Sequence, residues 1–194
     1  MLQRRLPRIF RRNITSYLAL FLLVMLSTFF IISMIASADT ITQRLAQYSE
    51  EVCVEDGEFS AYMPLEESDV EEIEKEGFCL EEQFYTDYEV NDSTLRVFEI
   101  REKINLITIT DGELCRGSHE ICLERQYAKA RGLSVGDDLS IAGQTFRITG
   151  LGCVPDYETP LENLTDPSAD SQFFGIAVLT EEVVETLRET GEAR

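Results

Sequence analysis

The chain is 194 residues long, 44% hydrophobic and 27% charged, with a formal net charge of −19. That charge is divided: residues 1–15 hold five arginines and no acid, which leaves −24 on the remainder. Phosphate contacts need Lys and Arg, so a body this acidic excludes nucleic acid as a partner, and the asymmetry between the ends points to membrane topology.

The first twelve residues place Leu2, Leu6, Ile9 and Phe10 on one arc of a helical wheel and Arg4, Arg5, Arg8, Arg11 and Arg12 on the opposite arc. Such a face suits an interfacial segment whose arginines contact lipid headgroups. Pro7 fits near a helix start rather than inside one continuous helix. The alternative is a flexible positive tag that only sets orientation.

From Asn13 to Ala38 no residue is charged. About 20 apolar residues cross a ~30 Å hydrocarbon core, so residues 14–38 are expected to form a transmembrane helix, with the hydroxyls of Ser27, Thr28 and Ser33 bonding back to helix carbonyls. Arginines before the span and Asp39 after it place residues 1–13 in the cytoplasm and the acidic body outside the cell membrane. Ala36-Ser37-Ala38 also has the form of a signal-peptide cleavage site, but the apolar run exceeds the 7–15 residues usual for such a leader. Beyond the span, Ile41, Leu45 and Tyr48 recur at helical spacing, which predicts a helical stalk over 39–49 with one apolar stripe.

Residues 50–194 alternate short strands and short helices. Strands are expected at Glu58–Leu65, Cys79–Val90, Thr94–Ile100, Asn105–Thr110, Glu120–Leu123, Leu139–Ile141, Thr145–Leu151 and Phe173–Leu179. Ser68 to Glu71 has the form of a capping box for a helix through Val70 and Ile73 that Gly77 stops. Two further helices are expected, Gln126–Arg131 before Gly132, and one after Thr180 with Val183, Val184 and Leu187 inward. Residues 154–172 are a loop rich in Pro, Asp and Asn. The fold class is therefore α+β: one N-terminal transmembrane helix, then a mixed or antiparallel sheet with short helices. Expected core positions include Phe59, Phe84, Val97, Ile107, Ile121, Phe146, Ile148, Ile176 and Val178.

Chemistry-bearing motifs are sparse. There is no P-loop, G-x-S-x-G, H-E-x-x-H or calcium loop. The single histidine, His119, is expected in a turn beside Ser118, and adjacency in sequence does not make a triad. No enzymatic constellation, metal site or cofactor is expected. Five cysteines (Cys53, Cys79, Cys115, Cys122 and Cys153) all fall on the predicted outer side, where disulfides persist. Their number is odd, their spacing leaves the pairing open, and a small buried apolar role is the ordinary alternative. Asn91-Asp92-Ser93 and Asn163-Leu164-Thr165 match glycosylation acceptors, a pattern common by chance.

One order of small motifs is more specific than its parts. Asp111-Gly112-Glu113-Leu114 leads to Glu120-Ile121-Cys122-Leu123, then to Ala128 through Gly132 and Val135-Gly136-Asp137. Ile141-Ala142-Gly143 and Phe146-Arg147-Ile148-Thr149-Gly150-Leu151 complete it. Together with the Arg-rich start and first membrane helix, this resembles the front part of FtsX-like or MacB-like ABC transporter permeases. The resemblance implies a separate ATPase and a second permease subunit as partners, and an extracytoplasmic domain acting on lipids, peptides or proteins. It also implies three later membrane helices, which are not found before Arg194. A single-pass anchored binding or sensor domain without an ATPase is the alternative from a different class.

Overall fold

In the computed structural model, residues 11–59, 61, 65–162 and 165–190 are described, and the chain divides into two units, residues 1–49 and 50–194. The first unit is dominated by α1 (Ile14–Glu51), one uninterrupted helix of 38 residues. At 1.5 Å per residue it is about 57 Å long, and it runs unbroken through the segments expected as span and stalk. The Ser27 and Thr28 hydroxyls donate to Leu23 O at 2.7 Å and Val24 O at 2.8 Å, as expected of hydroxyls in an apolar helix. No side chain of α1 is buried, and Ile41 and Leu45 are exposed.

The second unit is built on a seven-stranded mixed sheet. After α2 (Glu67–Lys75) come β1 (Tyr85–Val90), β2 (Ser93–Glu99), β3 (Thr108–Gly112) and β4 (Glu120–Glu124). Helix α3 (Arg125–Arg131), β5 (Asp138–Ile141), β6 (Gln144–Cys153), a 3-10 turn (Pro155–Tyr157), β7 (Phe174–Leu179) and α4 (Glu181–Thr190) complete it. The strand order is β1-β2-β7-β4-β6-β3, with β5 paired to β6. The β2/β7 and β4/β6 pairs are parallel, while β1/β2, β7/β4, β3/β6 and β5/β6 are antiparallel.

Alternation along the strands sends side chains to two faces. One face carries Leu95, Val97, Ile121, Leu123, Phe146, Ile148, Ala177 and Leu179, packed with Tyr127 and Ala128 of α3 and Val183, Val184 and Leu187 of α4. Tyr127 lies where Gly175 leaves room: a Cβ there would come within 2.3 Å of its ring. The other face carries Phe98, Cys122, Phe174, Ile176 and Val178, packed with Cys115 and Val154 from the connecting chain.

Two-residue turns close two hairpins. Asn91 and Asp92, at φ 47° and 63°, join β1 to β2, and Ala142 and Gly143, at φ 48° and 76°, join β5 to β6. Positive φ at both central positions is the type I′ pattern that matches strand twist. Ser93, in the first acceptor match, is buried with its hydroxyl on Val90 O at 2.6 Å and against the Tyr127 hydroxyl at 2.7 Å. Residues 163 and 164 of the second match lie outside the described residues.

Several expectations are corrected. The described residues among 58–65 are in no strand, and Phe59 is 64% exposed. The apolar alternation is present there, but a strand also needs a neighbour for its N–H and C=O groups, and none pairs with it. Strand Cys79–Val90 begins only at Tyr85, because Glu81 turns away to accept the N–H groups of Glu102 (2.8 Å), Lys103 (3.2 Å) and Ile104 (2.6 Å). Phe84 is accordingly exposed. The strand expected at 105–110 is displaced to 108–112, since Asn105 adopts φ 51° and accepts the Glu55 N–H at 3.0 Å. The cap of α2 lies two residues before Ser68: Asp69 accepts the Glu66 N–H at 3.3 Å.

Candidate functional site

The chemistry of residues 50–194 collects on the sheet face that carries Cys122, where irregular chain rather than helix forms the cover. Two arginines hold the turn Pro155–Tyr157. Arg96, from β2, makes a bidentate pair with Asp87 of β1 at 2.8 Å for both contacts, and it donates to the Tyr157 hydroxyl at 3.2 Å. Its guanidinium lies 4.2 Å from the Tyr85 ring centre and 5.1 Å from that of Phe174. Arg101 pairs with Asp156 at 2.8 and 2.9 Å and lies 4.8 Å over Phe98. The Asp87 carboxylate raises the Arg96 pKa further, while burial raises that of Tyr157 against the opposing Arg96 charge. These arginines are engaged by carboxylates of the same domain, so their evident work is to fix β6 and its turn to β1 and β2. The recess beside them, between Phe98, Arg101, Asn105 and Val154, encloses only about 10 Å³. That is below the ~300–1,000 Å³ of ordinary small-molecule sites.

The second feature of this face is a sulfur pair. After β3 the chain leaves the sheet edge, and Glu113 to Arg116 cross over β6 to reach β4. Crossing requires a gap in the side-chain layer. Gly150 supplies it, because a Cβ there would lie 2.5 Å from Glu113 O and 3.1 Å from Cys122 Sγ. The β4/β6 pairing is irregular at Gly150: Ile121 pairs with Ile148 but Cys122 with Gly150, which leaves Thr149 as the extra residue. The crossing segment then sets Cys115 on Cys122. The Cys115 N–H points at Cys122 Sγ at 3.1 Å, and Cys115 Sγ donates to Val178 O at 3.3 Å. Both side chains are fully buried. The Cys115 side chain beside it, with the Cys115 N–H, lowers the Cys122 pKa against the effect of burial. The closeness of Cys122, together with burial, pushes Cys115 up. The loop is latched by Glu120, whose carboxylate accepts the N–H groups of Arg116 (2.8 Å) and Gly117 (2.9 Å) and is held below its usual pKa by them.

Of the five arginines expected to meet lipid headgroups, Arg4, Arg5 and Arg8 lie outside the described residues. Arg11 and Arg12 are exposed immediately before α1. His119 is exposed on the turn before β4, and its carbonyl accepts the Arg147 N–H at 2.7 Å. Cys53 and Cys79 are exposed and Cys153 is half-buried. Among the described residues no group of three or more His, Cys, Asp and Glu side chains could hold a metal ion. Sequence reasoning missed the arginine clasps, whose partners are 9 and 55 residues apart. It left the pairing of Cys115 and Cys122 open; the signal that would have joined them is Gly150 on the intervening strand.

No family model, curated protein or solved structure matches the chain.

Proposed function

We propose that the chain is anchored in the cell membrane by residues 14–38, with its N-terminus cytoplasmic and residues 50–194 outside, as the front part of an ABC transporter permease of the FtsX/MacB type. In this role a separate ATPase drives a complex with a second permease subunit, and the outer domain passes the motion to lipid, peptide or protein partners. The chain itself does no covalent chemistry. The membrane half of the reading rests on α1, apolar and unburied over its whole span. The permease half rests on one observation, the order of short motifs from Asp111 to Leu151, which falls on the consecutive elements β3, β4, α3, β5 and β6. The runner-up is a single-pass anchored binding domain. In its favour, both core clusters close within residues 50–194.

Two measurements test the two halves. With Cys53 and Cys79 replaced by serine, a cysteine placed at the exposed Ser168 is expected to react with a membrane-impermeant maleimide on intact cells. Reaction only after lysis would reverse the orientation. Purified from its own membranes in mild detergent, the chain is expected to carry vanadate-sensitive ATPase activity. A preparation that retains the outer domain intact but has no such activity would replace the permease reading with the anchored binding domain.

A further inference from the structure

We propose that Cys115 and Cys122 are a redox pair that closes to a disulfide when the outer domain meets an oxidising compartment, so tying the crossing segment to β4. Among the five cysteines this pair alone is brought together in the fold interior. Cys53 and Cys79 are exposed, and Cys153 lies at the end of β6. Three structural facts carry the pairing. Cys115 N is 3.1 Å from Cys122 Sγ. Both sulfurs are enclosed in the same apolar cluster, with Phe98, Val154, Ile176 and Val178 around them. Gly150 beneath them leaves room for the crossing segment, since a Cβ there would lie 2.5 Å from Glu113 O and 3.1 Å from Cys122 Sγ. A bond between residues 115 and 122 closes a short loop, and the segment Glu113–Gly117 that it would pin belongs to no helix or strand.

The chemistry is thiol–disulfide exchange with a small-molecule disulfide such as oxidised glutathione. Cys122, as its thiolate, attacks one sulfur of that disulfide and expels one glutathione thiolate, leaving a mixed disulfide on Cys122. Cys115 then loses its proton and attacks Cys122 Sγ, expelling the second glutathione. Two protein thiols are oxidised, one disulfide is reduced, and their two protons leave with the two glutathione molecules. Because both sulfurs are buried, exchange waits on local opening of the segment held by the Glu120 latch.

This inference rests on the proposed outer location only for the compartment in which the bond forms; the pairing itself is testable without it. The full chain in detergent is equilibrated in glutathione buffers from reducing to oxidising, alkylated and digested with trypsin without reduction. Cleavage after Arg116 separates the two cysteines into peptides 104–116 and 117–125. The expected product is these two peptides joined, lighter than their sum by the two hydrogens lost. The oxidised protein is expected to melt about 5 °C above the reduced one. Cys115→Ala should abolish both the linked peptide and the redox dependence of Tm. If that variant fails to fold, the peptide map of the unaltered protein still decides. Alkylation of both cysteines after full oxidation of a folded sample, or a link from either one to Cys53, Cys79 or Cys153, overturns the proposal. A link that forms in these buffers while both thiols stay free in intact cells supports the pairing and overturns the outer location instead.

Discussion

The two faces of the sheet are covered by different materials and hold their strands by different means. Over the first lie α3 and α4, whose side chains meet Leu95, Val97, Ile121, Phe146 and Ile148 in an apolar layer. Over the second lie the crossing segment after β3 and the turn Pro155–Tyr157, which have too little regular structure to make such a layer. Arginine–carboxylate pairs and a stacked pair of thiols do part of the holding there. The first face draws its strength from area removed from water, which tolerates small rearrangements. The second depends on geometry, so a single broken partner leaves a charge stranded.

The largest expected effect breaks the first face. Phe146 is fully buried between strands and helices, and Phe146→Ala should cost about 3–5 kcal/mol through lost transfer energy and the cavity left behind. Thermal unfolding of the full chain in detergent, followed by circular dichroism, checks this. A loss below about 1 kcal/mol would mean that the face collapses around the gap and is less tightly packed than its burial implies.

A smaller effect is expected on the second face, and its logic differs. Arg101 and Asp156 are 8% and 12% exposed at their side chains. Arg101→Met leaves the Asp156 carboxylate without its bidentate partner and should cost about 1–3 kcal/mol. The double variant Arg101→Met, Asp156→Leu removes both charges and should recover most of that loss. A double variant as unstable as the single one would show that the pair shapes the turn rather than compensating two buried charges.

The same contrast explains what was legible in the sequence. The helix-covered face announced itself, because Val183, Val184 and Leu187 repeat at helical spacing and Ile121 and Leu123 alternate along a strand, and all five are buried where expected. The long apolar helix was equally plain from the missing charges of residues 14–38. The loop-covered face was not legible, because its parts are joined across space. Arg101 has no local cue for Asp156, and Cys115 meets Cys122 only because the chain crosses β6 at Gly150. Phe59 and Phe84 were placed in the core by their apolarity, but the chain around them makes no ladder, and Glu81 directs residues 79–84 toward loop 102–104 instead of into the sheet. Of the five N-terminal arginines, whose arc opposite Leu2, Leu6, Ile9 and Phe10 gave the expectation of lipid contact, only Arg11 and Arg12 fall among the described residues.

The smallest effect concerns the rim of the helix-covered face, where the charges are poorly balanced. Glu99 ends β2 in line with Leu95 and Val97. Its carboxyl is pushed up, first by partial burial and then by Glu181, with Glu82 and Glu185 adding to this and Arg188 opposing. A carboxyl raised in the folded state binds its proton more tightly there than in the unfolded chain, whose value is about 4.3. The folded state is therefore favoured on the acid side, and that advantage is lost as pH rises from the unfolded value through the raised folded one. At neutral pH Glu99 is charged and works against folding. Glu99→Gln removes that charge at similar size and should raise Tm at pH 7 by on the order of 1–2 °C, after allowance for solvent screening. The gain should shrink as pH falls toward 4, where Glu99 itself becomes neutral, and it should also shrink in high salt, which screens the like charges. A Glu99→Gln protein less stable than the parent at pH 7 would mean that Arg188 outweighs the three acids, and this rim would then be held by paired charge as the opposite face is.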